Sequence, residues 1–72
     1  MSEIDRLTQE LIAGNRVYFS LLRNFQHGSH DRIMVQLAIQ RELEQQLIAL
    51  VGREATFELE AASYQLVLSE YS

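Results

Sequence analysis

Apolar residues recur at helical spacing through the first third of the chain. Ile4, Leu7, Leu11, Gly14, Tyr18, Leu21 and Phe25 are separated by three and four residues in alternation, the period of a seam where two helices pack side by side. Ile12, Phe19 and Leu22 add a strip on the neighbouring face and widen the apolar side of this helix. Ser2 followed by Asp5 resembles a capping box, with an acid placed well for the helix dipole. The pattern predicts a first helix over about residues 2–26. Gly14 lies inside the seam, where it costs about 1 kcal/mol relative to alanine but lets a facing helix approach closely.

His27-Gly28-Ser29-His30-Asp31 breaks the pattern. Gly28 suits the left-handed conformation that closes a helix, and Ser29 or Asp31 is a cap for the next one. A connection this short makes the two helices antiparallel neighbours. The second helix is expected over about residues 30–51. Ile33, Leu37, Leu47 and Val51 share one face of it, although Gln40 and Glu44 interrupt that stripe. Val35, Ile39, Leu43 and Leu50 fall on a second face, roughly 100–120° or more away at 3.6 residues per turn. One facing helix cannot cover both. Val35, Ile39, Leu43 and Leu50 are therefore the candidate partner-binding residues, unless the third segment covers them.

Beyond Gly52 the pattern is double-valued. Ala55, Phe57, Leu59 and Ala61 alternate with polar residues as a strand would, and Tyr64-Gln65-Leu66-Val67-Leu68 is rich in strand formers. Phe57, Ala61, Tyr64 and Leu68 also recur at four, three and four, and alanine with glutamate favours helix. A lone two-stranded hairpin is only marginally stable. A third helix over about residues 56–70 is the expectation, with Thr56 as its cap and Gly52 as the turn before it. The fold class is then all-α: an antiparallel helical hairpin with a C-terminal third helix, in a single domain of residues 1–72.

Composition narrows the function. The chain has 72 residues, 47% of them hydrophobic and 22% charged, the balance of a folding domain. There is no cysteine, which removes disulfides, zinc–thiolate sites and thiol nucleophiles. All six basic residues are arginines, at intervals of seven to twelve residues, and the net charge is −4. A nucleic-acid module needs a clustered basic stripe, and an anionic membrane surface asks for the same, so neither is an expected partner. No apolar run approaches the roughly 20 residues that cross a bilayer. Met1-Ser2-Glu3-Ile4-Asp5 lacks the basic and apolar segments of a signal peptide, and the chain is expected to be cytoplasmic.

Candidate chemistry is sparse. His27, His30 and Asp31 have ligand-like side chains, but they sit at a glycine turn where capping explains them better than a metal does. Glu44 shares the stripe of Leu37 and Leu47, and a residue so placed usually lies at the margin of a seam and pairs with an arginine. Glu42 and Glu44 point to opposite sides of a helix and do not form an acid–base pair. No phosphate loop, nucleophile elbow or metal-protease helix occurs. The expectation is no catalysis, no cofactor and no metal, with function through protein contacts.

The segment Ile4-Asp5-Arg6-Leu7 through Leu21-Leu22-Arg23, the break at Gly28, and Leu37-Ala38-Ile39-Gln40-Arg41-Glu42-Leu43-Glu44-Gln45-Gln46-Leu47 resemble the small co-chaperones of type III secretion needle subunits in size, acidity and helix plan. The resemblance is one of pattern and covers about the first fifty residues. It implies a cytoplasmic protein that joins a tetratricopeptide-like chaperone and keeps a needle subunit from polymerising before export. The alternative is a small homo-oligomeric regulator, such as a phage-type anti-activator dimer, that blocks a host protein with a helical face. A third helix sealing the second face of helix two would favour that self-contained regulator.

Overall fold

The computed structural model describes residues 2–24 and 29–71. Within them the chain forms α1 (Glu3–Arg23), α2 (Ser29–Val51) and α3 (Arg53–Glu70), and no strand. The fold is all-α, as the spacing of apolar residues predicts. α1 starts at the expected cap. Ser2 is extended, its hydroxyl accepts the Asp5 N–H at 3.1 Å, and its carbonyl accepts the Arg6 N–H at 3.0 Å. Glu3 and Asp5 place negative charge at the positive end of the helix dipole. α1 ends at Arg23, short of the expected residue 26, where both the backbone N–H and the side-chain amide of Asn24 turn back to the Ser20 carbonyl. The turn expected at Gly28, and His27 and Phe25 with it, lie outside the described residues.

α2 and α3 meet at one residue. Gly52 has φ +89°, a conformation that side-chain-bearing residues rarely adopt. Its N–H closes α2 on the Ile48 carbonyl at 2.9 Å, and its own carbonyl opens α3 by accepting the Thr56 N–H at 3.1 Å. Thr56 is not the cap that the sequence suggested. The helix begins three residues earlier, Thr56 is fully buried inside it, and its hydroxyl donates back to the Gly52 carbonyl at 2.7 Å. No side chain caps α3, because a glycine occupies the N-cap position.

The helices run up, down and up. α1 and α2 are antiparallel: Leu7, Leu11, Leu43 and Leu47 form one buried cluster, with the half-buried Leu59 of α3 packed on it. α3 runs parallel to α1, shown by Asn15 meeting Ser63 and by the Arg23 guanidinium lying 4.6 Å over the Tyr71 ring. Phe19 anchors the upper end of this pair, edge-on to Tyr64 at 5.3 Å and tilted against Tyr71 at 6.2 Å. Arg16 closes it from outside with a two-pronged ion pair to Glu70, at 2.9 and 2.7 Å.

The bundle leaves much apolar surface in water. For this mass a folded monomer exposes about 4,600 Å², whereas this chain exposes 5093 Å². Its radius of gyration of 12.7 Å exceeds the roughly 11.2 Å expected for 72 residues. Apolar residues lie all round α2 and α3, and only Leu7, Leu11, Ile33, Leu43, Leu47 and Val67 are buried hydrophobics among the described residues. The stripe Phe57, Ala61, Tyr64, Leu68 that argued for the third helix is largely outward. Its inward side is Thr56, Ser63 and Val67.

Candidate functional site

The candidate partner-binding residues divide. Val35, Ile39 and Leu50 are 61%, 47% and 50% exposed on the outer side of α2. Leu43 is 6% exposed and belongs to the central cluster with Leu7, Leu11 and Leu47. Its inclusion with the other three is corrected by geometry: it stands at the edge of the outer face nearest α1, whose leucines close over it. Leu37, expected on the inward stripe, is 40% exposed, because Gln36 and Gln40 take the central positions there.

The outer face continues onto α1. A shallow groove of about 460 Å³, lined by Val17, Leu21, Asp31, Arg32, Val35 and Gln36, marks one end of the α1–α2 seam. A second depression lined by Glu3, Leu7, Gln46, Ala49 and Leu50 marks the other. α3 packs on the opposite side and covers neither. At the lower end Arg6 pairs within α1 with Glu3 and, at 2.8 Å, with Glu10, which leaves this rim negative.

At mid-height the three helices are joined by side-chain amides, a feature no candidate motif anticipated. Asn15, 2% exposed, donates through Nδ2 to Ser63 Oγ at 2.7 Å and accepts from Gln40 Nε2 at 2.6 Å through Oδ1. Gln36 Nε2 donates to the Gly14 carbonyl at 3.3 Å and to Gln40 Oε1 at 3.4 Å. Ser63 Oγ passes its own proton to the Glu60 carbonyl at 2.9 Å. Among the described residues no buried side-chain nitrogen or oxygen lacks a partner. Gly14 makes the close approach that its place in the seam suggested, and the partners are these glutamines. A Cβ there would overlap Gln40 Oε1 and come within 3.0 Å of Gln36 Nε2. The interruption of the α2 stripe by Gln40 was the sequence signal for this layer.

The polar layer floors a cleft of about 260 Å³ between α2 and α3, lined by Leu37, Gln40, Arg41 and Glu44 on α2 and by Glu60 and Tyr64 on α3, with Tyr18 of α1 at one side. Small-molecule sites run to roughly 300–1,000 Å³, so this space suits one inserted side chain. Glu44 does not find its charged neighbour across the interface in an arginine, as seam spacing suggested, but in Glu60. Partial burial holds the Glu60 carboxyl above the usual carboxylate range, and the charge and hydrogen bonding of Glu44 add to the effect. Burial likewise raises the Tyr64 hydroxyl, helped by Tyr18 and Glu60. His30 and Asp31 stand at the start of α2, and no group of three described His, Cys, Asp or Glu residues could hold a metal ion.

A carboxyl that holds its proton more tightly folded than unfolded stabilises the fold at low pH. That contribution fades as pH rises from about 4.5 through the raised folded value. Glu60→Gln is accordingly expected to raise the melting temperature by about 2–4 °C near neutral pH, since a half-exposed like-charged pair is worth on the order of 0.5 kcal/mol. Below about pH 4 the gain should vanish. Melting curves at the two pH values check it, and a gain that persists in acid would show that the carboxyl is not strained.

No helix among the described residues is long and apolar enough to cross a membrane. Comparison with known protein families, characterised proteins and solved structures gives no match to this chain.

Proposed function

We propose that this chain is a non-enzymatic protein-binding module that covers an apolar helical surface of its partner with the outer α1–α2 face. The observation that carries this reading is the exposure of Val35, Ile39 and Leu50 on one side of α2, continuous with Val17 and the half-buried Leu21. Exposed apolar surface of this extent on a small domain marks an interaction site, and an amphipathic helix laid into a helical groove is a recurring way to fill one. α3 leaves this face open, which favours an obligate companion over a self-contained regulator.

The helix plan and acidity support a more specific form of the proposal. In it the companion is a tetratricopeptide-like chaperone, the shared client is a needle subunit of type III secretion, and the complex works in the cytoplasm. The module would act by keeping the client's self-assembling helix out of water until export.

The test is co-purification of the chain with such a chaperone and its needle subunit, read by the mass of the complex. Val35→Asp with Ile39→Asp should abolish the complex, a loss of at least about a hundredfold in affinity for two buried side chains, and should leave the helical circular dichroism unchanged. A lone chain of twice 8.3 kDa that the same two changes convert to a monomer would replace this proposal with the homodimeric regulator.

A further inference from the structure

α3 carries a second apolar surface on the opposite side of the molecule. Phe57 is 49% exposed, and Tyr64 and Leu68 are exposed with it. With Ala61 they occupy about 60° of arc on α3, beside the cleft that Tyr64 lines and across from the exposed Leu37 of α2. Three- and four-residue spacing puts Glu60 on the cleft side of this stripe and Glu54 and Glu58 on its outer side. Glu44 of α2 adds a carboxyl at the cleft wall. Arg41 lines the cleft and Arg53 falls on the same side of the stripe, so the cleft flank is balanced in formal charge. The net negative charge of the surface is Glu54 and Glu58 on the outer flank.

We infer that the α2–α3 face binds a basic amphipathic helix of another protein, with apolar side chains laid on Phe57, Tyr64 and Leu68 and a lysine or arginine entering the cleft between Glu44 and Glu60. The outer flank, with Glu54 and Glu58 and no cation between them, and the facing carboxyls of Glu44 and Glu60 in the cleft select this occupant. A second copy would set glutamate rows against glutamate rows, and like charges placed opposite each other disfavour an interface. The cleft has room for one long side chain, and its tyrosine-lined wall suits the stem of a lysine or arginine whose charged end reaches a carboxyl. Burial first, and then Glu44, raises the proton affinity of Glu60. Arg41 from α2, Tyr64 from α3 and Tyr18 from α1 also face the cleft, and among the described residues no ion pair joins Glu60 to a cation. Filling the cleft with one would reverse the rise. This surface is separate from the outer α1–α2 face, and the chain would hold two partners, or two parts of one, on opposite sides.

The probe is a synthetic amphipathic peptide of leucine, alanine and lysine with lysines on both flanks of its apolar stripe. Two control peptides carry glutamate for lysine, or the lysines at scrambled positions. Titration calorimetry should show one lysine peptide per chain, with affinity falling as salt rises and as pH is lowered into the range where Glu60 takes up its proton. Phe57→Ser should weaken binding about tenfold or more, and Glu44→Gln with Glu60→Gln about threefold to tenfold. Leu66→Ser replaces an equally exposed residue half a turn away from Phe57 on α3 and should change nothing. Val35→Asp with Ile39→Asp should also change nothing, which separates this inference from the function proposed above. All four variants alter half-exposed or exposed positions, and circular dichroism should report the same helix content for each. Equal binding of the glutamate or scrambled peptide, an equal loss in Leu66→Ser, or a dimer that Phe57→Ser dissolves in light scattering would each overturn it.

Discussion

Aspartate at Leu43 is expected to abolish folding, whereas aspartate at Ile39, one turn earlier on α2, leaves a cooperative transition within about 1 kcal/mol of the parent. Leu43 is packed among Leu7, Leu11 and Leu47. Removing it forfeits about 2–5 kcal/mol, and a carboxylate in its place adds the cost of an unpaired buried charge. At about 0.05–0.15 kcal/mol per residue, a domain of this length holds only about 4–11 kcal/mol in total. Ile39 is half exposed, and its replacement removes little from the interior. Urea titration followed by far-UV circular dichroism distinguishes the two. Unfolding of both would mean that the outer side of α2 is interior, and the proposed binding face would fall with it.

Asn15→Ala should be the most damaging change among the polar residues, at about 2–3 kcal/mol. Asn15 joins all three helices, donating to Ser63 on α3 and accepting from Gln40 on α2. Truncation leaves both partners short of a hydrogen bond in a place where Ser63 is almost wholly buried. Ser63→Ala should cost less, about 1 kcal/mol, because the hydroxyl spends its own proton on the Glu60 carbonyl within its helix. The larger consequence is specificity. A hydrophobic cluster tolerates sliding and repacking, while three amides with fixed donors and acceptors admit one vertical registration of the helices. Loss of dispersion in the amide NMR spectrum of Asn15→Ala, at retained helix content, would show this. An unchanged spectrum and an unchanged melting curve would show that the layer is ornamental.

The difference between these two sites explains what was legible in the sequence. Helices are local, and the Ile4–Leu21 spacing, the Ser2 cap and the punctuation at Gly52 identified all three of them. Which side of each helix faces inward is decided by the other two, and there periodicity misled. Leu43 was grouped with Val35, Ile39 and Leu50 because the four share an arc of about 80° on α2. The drift of 3.6 residues per turn carries Leu43 inward and leaves its neighbours outside. On α3 the apolar stripe was real but outward, and a side of Thr56, Ser63 and Val67 was buried in its stead. Small side chains there bring the parallel helix close to α1, which no hydrophobicity pattern expresses. The same closeness makes the amide layer possible, and Gly14 and Gln40 were its visible traces. Of the four residues expected on the outer face of α2, Val35, Ile39 and Leu50 are exposed there. The strip on α3 was not legible, because the spacing of Phe57, Ala61, Tyr64 and Leu68 identifies a helix without saying which side of it turns inward.

The corner at Gly52 limits where the chain can be cut. A protease must thread several consecutive residues in extended form through its cleft, and this corner has one. Limited digestion is therefore expected to spare the junction between α2 and α3, which the two backbone hydrogen bonds of Gly52 hold closed.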